Sequence, residues 1–264
     1  MENTYYITYD LPIPYKDLMF YPITVKDYFF FTAYSQCLLL EKNSIPDPNI
    51  IRLTDLGYIY YLTQSEKSSD ANLLFFDRLL ALCLKDEDSF KKPEESIMRY
   101  RYDDKGTPFF VVNDKPYYNR DFLKIKEIIS AQNMLELPDE NISKEVRDSL
   151  EKAEEYKAKM NGTKSGSFED YMISLSVITG WTLDYINGMT IRKFVKSVRR
   201  LDNYVHYKIY LAASMSGMVE FKDKSFIKHW LSEIDKSNKY EDVSLDLEKV
   251  QGTLSLDNTK KQYP

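Results

Sequence analysis

A chain of 264 residues is long enough to bury a sizeable core, as one large domain or two small ones. With 43% hydrophobic and 29% charged residues, the composition is that of an ordinary globular protein and argues against disorder of the whole chain. A net charge of -5 gives no general attraction to nucleic acid or anionic lipid, while 8 glycines against 22 tyrosines disfavour phosphate-cradling loops and favour surfaces that bury rings on assembly.

In chain order, Tyr5–Tyr9 is rich in aromatic and β-branched residues and reads as a short strand ended by Pro12 and Pro14. Leu18–Ile23 reads as a second strand that would pair with it. Thr24 and Asp27 then have the character of a helix start. The helix expected from there to about Leu40 carries Phe29, Phe30, Phe31, Tyr34, Cys37 and Leu38, an apolar surface broad enough to suggest a central position. Pro46 and Pro48 break the chain. Helices are expected over about Asp55–Thr63 and, after the polar loop Ser65–Ser69, over Asp70–Leu84, where Leu73, Phe76, Leu80 and Cys83 form one stripe.

The texture changes near Lys91-Lys92-Pro93. Ile97–Tyr102 and Pro108–Val112 flank Asp103-Asp104-Lys105-Gly106 as a hairpin, and Asn113–Pro116 turns the chain again before Tyr117-Tyr118. Asn119 or Asp121 starts a helix with Phe122, Ile125, Ile128 and Ile129 on one face. Glu140–Met160 reads as a solvated connector helix, and Asn161–Gly166 as a flexible joint. Beyond it, Ser167 with Asp170 opens a helix that Gly180 ends. Thr182–Asn187 is a short helix stopped by Gly188, and Thr190 caps another that buries Ile191, Phe194, Val195, Val198 and Leu201. Tyr204–Ser216 comes next and runs up to Gly217, and Ser225 opens a final helix with Phe226, Trp230, Leu231 and Ile234.

The fold class read from these elements is α+β, predominantly α-helical, with small antiparallel ribbons. The expected organisation is a mixed helical domain over 1–135, with a ribbon near 97–118, and a charged connector over 136–166. A helical module over 167–240 and a polar tail over 241–264 complete the chain.

The chemistry-bearing residues are sparse. The two histidines, His206 and His229, have no histidine or cysteine at ligand spacing, so no metal site and no cofactor is expected. Cys37 and Cys83 each sit in an apolar helical pattern and read as buried thiols. No nucleophile elbow is present, and Gly162–Ser165 lacks the upstream glycine of a phosphate loop. A non-enzymatic protein is therefore expected. Met1–Tyr6 lacks the basic and apolar regions of a signal peptide. The apolar stretches Tyr28–Leu40 and Leu73–Leu84 are too short to span a bilayer, so a cytoplasmic protein without membrane partners is expected.

Two groups of residues stand out as candidate binding positions. Tyr58, Tyr60, Tyr61, Tyr117 and Tyr118 supply more aromatic surface than one small core readily hides, and such rings are frequent energetic centres of interfaces. Arg192, Lys196 and Arg200 fall on one face of a basic helix and are candidates for phosphate contacts. The competing reading of the basic helix is a solvated face opposite the Phe194–Val198 stripe. Nucleic acid is not the expected partner of an acidic chain.

Asp121–Asn133 (DFLKIKEIISAQN), Trp181–Thr190 (WTLDYINGMT) and Ser216–Trp230 (SGMVEFKDKSFIKHW) resemble tail morphogenesis proteins of phages infecting low-GC bacteria. Pro12–Tyr28 (PIPYKDLMFYPITVKDY) is similar to the opening of baseplate-hub assembly and tail-chaperone proteins. The resemblance implies a tail or baseplate assembly factor of the host cytoplasm or the virion, whose partners are other tail or baseplate proteins or its own copies. It implies no catalytic residues. The rival readings are a nucleic-acid-associated protein using helix 192–200 and an enzyme with dispersed carboxylates.

Overall fold

The computed structural model describes residues 3–42, 47–64, 71–85, 96–138, 149, 152, 166–217, 227 and 229–232. The chain divides into two compact units, Met1–Ser143 with Glu169–Val195, and Lys144–Phe168 with Lys196–Pro264. Among the described residues the fold is α+β and predominantly helical, with one two-stranded and one three-stranded antiparallel sheet. Residues 169–195, expected to belong to a C-terminal module, therefore pack with the N-terminal part of the chain. The expected joint at Asn161–Gly166 lies outside the described residues except for Gly166. Of the charged connector, Ser149 and Lys152 are described, and both are helical.

The first unit opens with α1 (Thr4–Thr8), a helix where a strand was expected. The ribbon forms one segment later, from β1 (Ile13–Tyr15) and β2 (Leu18–Phe20), with Ile13 opposite Phe20. Pro14 sits inside a strand here because a two-stranded ribbon consists only of edges, where a missing N–H is tolerated. The expected long helix after Thr24 is in fact three pieces: a 3-10 turn Val25–Asp27, α2 (Tyr28–Tyr34) and a second 3-10 turn Ser35–Leu38. Nor is α2 buried all round. Phe31, Cys37 and Leu38 enter the core while Phe29 is 71% exposed.

Three helices come next, α3 (Pro48–Ile51), α4 (Asp55–Gln64) and α5 (Ala71–Leu84). In α5, Phe76, Leu79, Leu80 and Cys83 are fully buried, and the Cys83 carbonyl accepts from the Tyr21 N–H at 2.7 Å. Both cysteines are free and buried, and burial pushes each thiol pKa up, which makes them poor nucleophiles.

The three-stranded sheet has β3 (Arg99–Tyr102), β4 (Pro108–Val112) and β5 (Lys115–Tyr117) in sequence order. The Asp103 carboxylate closes the first turn by accepting from the Thr107 N–H at 2.7 Å and the Lys105 N–H at 3.0 Å. The second turn places Asn113 and Asp114 at φ 51° and 58°, left-handed positions that these two residue types tolerate.

Helix α6 (Asn119–Asn133) is the organising element of the first unit. Its Phe122, Ile125, Ile128 and Ile129 meet Phe76, Phe110 and Tyr117 in one core. Its polar ends are pinned as well. Asn119 Oδ1 accepts from the Leu56 N–H at 2.9 Å, and Asn133 Oδ1 accepts from the Ile23 N–H at 2.9 Å.

At the start of α6, Asp121 accepts from the Tyr118 N–H at 2.9 Å, from the Tyr15 hydroxyl at 2.7 Å and from Lys16 Nζ at 2.7 Å. Nearby, Asp17 accepts from the Tyr117 hydroxyl at 2.6 Å. That hydrogen bond holds the Asp17 carboxyl below its usual range. For Asp121, burial pushes upward, but the bonds from Lys16, Tyr15 and the Tyr118 N–H outweigh it and hold the group low. A depressed carboxyl contributes stability above its unfolded pKa and loses that contribution as pH falls through the folded value. Denaturant midpoints should therefore decline below about pH 4, near the unfolded carboxylate pKa, and Asp121→Asn should flatten that decline.

The second unit is described at residues 149, 152, 166–168, 196–217, 227 and 229–232, the longest stretch being Lys196–Met215 of the last long helix. There Arg200 donates to the Trp230 carbonyl and, at 2.9 Å, to the Ser232 carbonyl, while the Tyr204 and Trp230 rings meet edge-on at 5.6 Å. Residues 229–232 form a turn, not part of the helix expected after Ser225.

Candidate protein-interaction surface

Residues 169–190 of the first unit build a helix–turn–helix. Helix α7 (Phe168–Thr179) ends at Gly180, which takes φ 74° and donates its N–H to the Ser176 carbonyl at 2.8 Å. Hydroxyls then tie the turn together: Ser176 Oγ donates to the Trp181 carbonyl at 2.7 Å, and Thr179 Oγ1 accepts from the Trp181 N–H at 3.2 Å. Thr182 caps α8 (Leu183–Gly188) by accepting from the Tyr185 N–H at 3.2 Å. The Met189 carbonyl accepts from the Val25 N–H at 2.9 Å, and the Ile191 N–H donates to the Ile23 carbonyl at 2.9 Å. Leu175, Ile186 and Met189 are buried, so this hairpin is anchored at defined points.

Its outer surface is apolar to a degree that anchoring does not require. Tyr171–Leu183 contains no charged residue. Ile173, Val177 and Ile178 of α7 are exposed, Val177 to 77%, and Trp181, Leu183 and Tyr185 continue the patch across the turn, Tyr185 being 56% exposed. The Trp181 and Tyr185 rings meet edge-on at 5.3 Å, so they present one aromatic ledge. A helix that is apolar on nearly every face is ordinarily buried. On α7 only Leu175 is buried. A contiguous apolar patch of this kind marks an interaction site more often than scattered single residues do.

The candidate tyrosines divide. Tyr58, Tyr60 and Tyr117 are buried and belong to the core, which corrects the expectation that they offer binding surface. For two of them the hydroxyl finds a partner far along the chain: Tyr60 donates to the Phe109 carbonyl and Tyr117 donates to Asp17. Burial raises both hydroxyl pKa values, and in Tyr117 the bond to Asp17 adds to the effect. Tyr61 and Tyr118 are exposed. They lie on α4 and at the start of α6, outside the 171–185 patch.

The basic candidates lie on α9 (Ile191–Met215), a single continuous helix where two segments were expected. Thr190 caps it by accepting from the Lys193 N–H at 3.2 Å. Asp10 accepts from Thr190 Oγ1 at 3.0 Å and pairs with Lys193 at 2.8 Å. Ile191 and Phe194 are buried beneath. Arg192, Lys196 and Arg200 are half-buried, and Arg200 is held by backbone carbonyls. The bonds to the Trp230 and Ser232 carbonyls give the Arg200 guanidinium a structural role.

The signal for the exposed patch was legible in the uncharged run Tyr171–Leu183, which periodicity alone reads as core. Among the described residues, no helix is long and apolar enough to cross a membrane. No curated protein and no solved structure matches the chain. Residues 159–235, which include the whole exposed hairpin, are similar to the family model of the YomV second domain, a phage-type domain.

Proposed function

We propose that this chain is a non-enzymatic, protein-binding factor of phage tail or baseplate assembly, and that it engages its partner through the 171–185 hairpin. The observation that carries the reading is the outward-facing apolar surface from Tyr171 to Tyr185, uncharged as far as Leu183, on an anchored scaffold. Burying such a surface against another protein recovers the free energy of removing its rings and aliphatic groups from water. The similarity to a phage-type domain over the same residues supports a phage setting. The resemblance of Trp181–Thr190 and Ser216–Trp230 to tail morphogenesis proteins directs the proposal to tail and baseplate components.

A charge placed in the patch must be desolvated on binding, so Val177→Asp combined with Tyr185→Asp should weaken capture of a tail or baseplate protein by about tenfold or more. Both side chains are exposed, so the melting temperature should stay close to that of the parent chain. Co-purification from phage-infected cells, followed by titration of the captured protein against both chains, reads the effect. Equal affinity for parent and variant would remove the hairpin from the proposal.

A further inference from the structure

Resting on the reading of the 171–185 hairpin as a protein-binding face, we infer that its occupant is an amphipathic helix of the partner whose apolar stripe is bordered by lysine or arginine. From Glu169 to Ile191 the charged residues are Glu169, Asp170 and Asp184, and all are acidic. Their placement matters as much as their sign. Glu169, Ile173 and Val177 follow one another at four-residue steps along α7, so a carboxylate shares the exposed face of two aliphatic side chains. On α8, Asp184 stands between Leu183 and Tyr185, and all three are exposed. Glu169 and Asp184 enter no ion pair among the described residues. The apolar surface therefore carries one open carboxylate at the start of α7 and another on α8.

Both elements are helices whose backbone groups bond internally, so the hairpin presents side chains and offers no strand edge. An apolar helical stripe, with anchors three and four residues apart, is the matching form of occupant. Cations on its borders would meet Glu169 and Asp184 as the apolar side chains are buried, which selects the partner more than it strengthens the contact. The alternatives bring the wrong sign. A second copy of the hairpin sets carboxylates against carboxylates, and nucleic acid or anionic lipid sets phosphates against them. Of the cations near the anchor, Lys193 pairs with Asp10 at 2.8 Å, Lys26 is followed by Asp27, and Arg192 is half-buried.

The test titrates the full chain with labelled helical peptides that share a leucine stripe and carry either lysine or glutamate borders, and with phosphatidylglycerol vesicles. The lysine-bordered peptide should bind at least about tenfold more tightly than the glutamate-bordered one, with the preference shrinking as salt rises. Val177→Asp with Tyr185→Asp makes the chain more acidic, so a purely electrostatic attraction would strengthen, whereas seating on the hairpin should weaken by about tenfold. Glu169→Lys with Asp184→Lys should invert the preference. Asp104→Lys with Glu136→Lys, exposed positions elsewhere in the fold and equal in charge change, should leave it intact. First-turn acids also favour their own helices, so circular dichroism accompanies the titrations, and the milder Glu169→Gln with Asp184→Asn should still lose most of the preference. Equal affinity for the two peptides, tighter binding of the vesicles, or a preference that survives the charge reversal would overturn the inference. Capture of a tail or baseplate protein that fails with Val177→Asp and Tyr185→Asp, yet persists undiminished with Glu169→Lys and Asp184→Lys, would also overturn it while leaving the hairpin as the binding face.

Discussion

Phe76→Ala is expected to destabilise the first unit by about 3–5 kcal/mol, the range for removing a large aromatic side chain from a close-packed core. Phe76 has no exposed surface and projects from α5 towards β4 and α6. Its ring meets Phe110 of β4 edge-on at 5.4 Å and Phe122 of α6 at 5.1 Å. Truncation therefore loses apolar burial, two edge-to-face contacts and the packing of three elements at once. Chemical denaturation of the full chain gives the change in midpoint. A shift no larger than that of an exposed control such as Leu74→Ala would contradict the assignment of this cluster as the core.

Asp77→Ala is expected to cost about 2–4 kcal/mol, from the loss of buried hydrogen bonds and of a charge close to a buried guanidinium. Asp77 Oδ1 accepts from Ser96 Oγ at 2.7 Å and from the Met98 N–H at 3.1 Å, and both Asp77 and Arg78 are buried. Removing the carboxylate leaves the Met98 N–H in the core without that acceptor. Burial raises the Asp77 pKa in spite of these bonds. Its pH-dependent contribution to stability is therefore present below the unfolded pKa and lost as pH rises through the folded value, opposite in sign to Asp17 and Asp121. In the Asp77→Ala background the acid-side decline in stability should accordingly steepen, which denaturation across pH will show.

The parts of the fold that were legible in the sequence are those where the pattern is long or the turn chemistry specific. The α5 stripe through Phe76 and Cys83 and the apolar face of α6 needed only helical periodicity. The two turns of the central sheet needed only Asp103–Gly106 and Asn113-Asp114. Short segments were less decisive. Tyr5–Tyr9 has strand-like residue types, but five residues carry too little intrinsic preference to compete with local packing, and the Tyr5 and Tyr9 rings meet at 5.0 Å across one helical turn. The tyrosines show a different limit. Whether Tyr60 or Tyr117 belongs inside depends on an acceptor 49 or 100 residues away, and no local pattern contains that information. The same limit hid the role of residues 169–195. Backbone bonds from Val25 to Met189 and from Ile191 to Ile23 attach them to the first unit, while a reading along the chain sees a glycine-marked joint before them and groups them with the helices nearer the C-terminus.

That the uncharged hairpin is a protein-binding face is tested most directly by site-specific photo-crosslinking. A photoreactive residue placed at Val177 in infected cells is expected to give adducts with a tail or baseplate protein. The same residue placed at Glu127, an exposed position of α6 paired with Lys124, is expected to give none. Equal adducts from both positions, no adduct from Val177, or an adduct only to nucleic acid would contradict a protein-binding role for the hairpin.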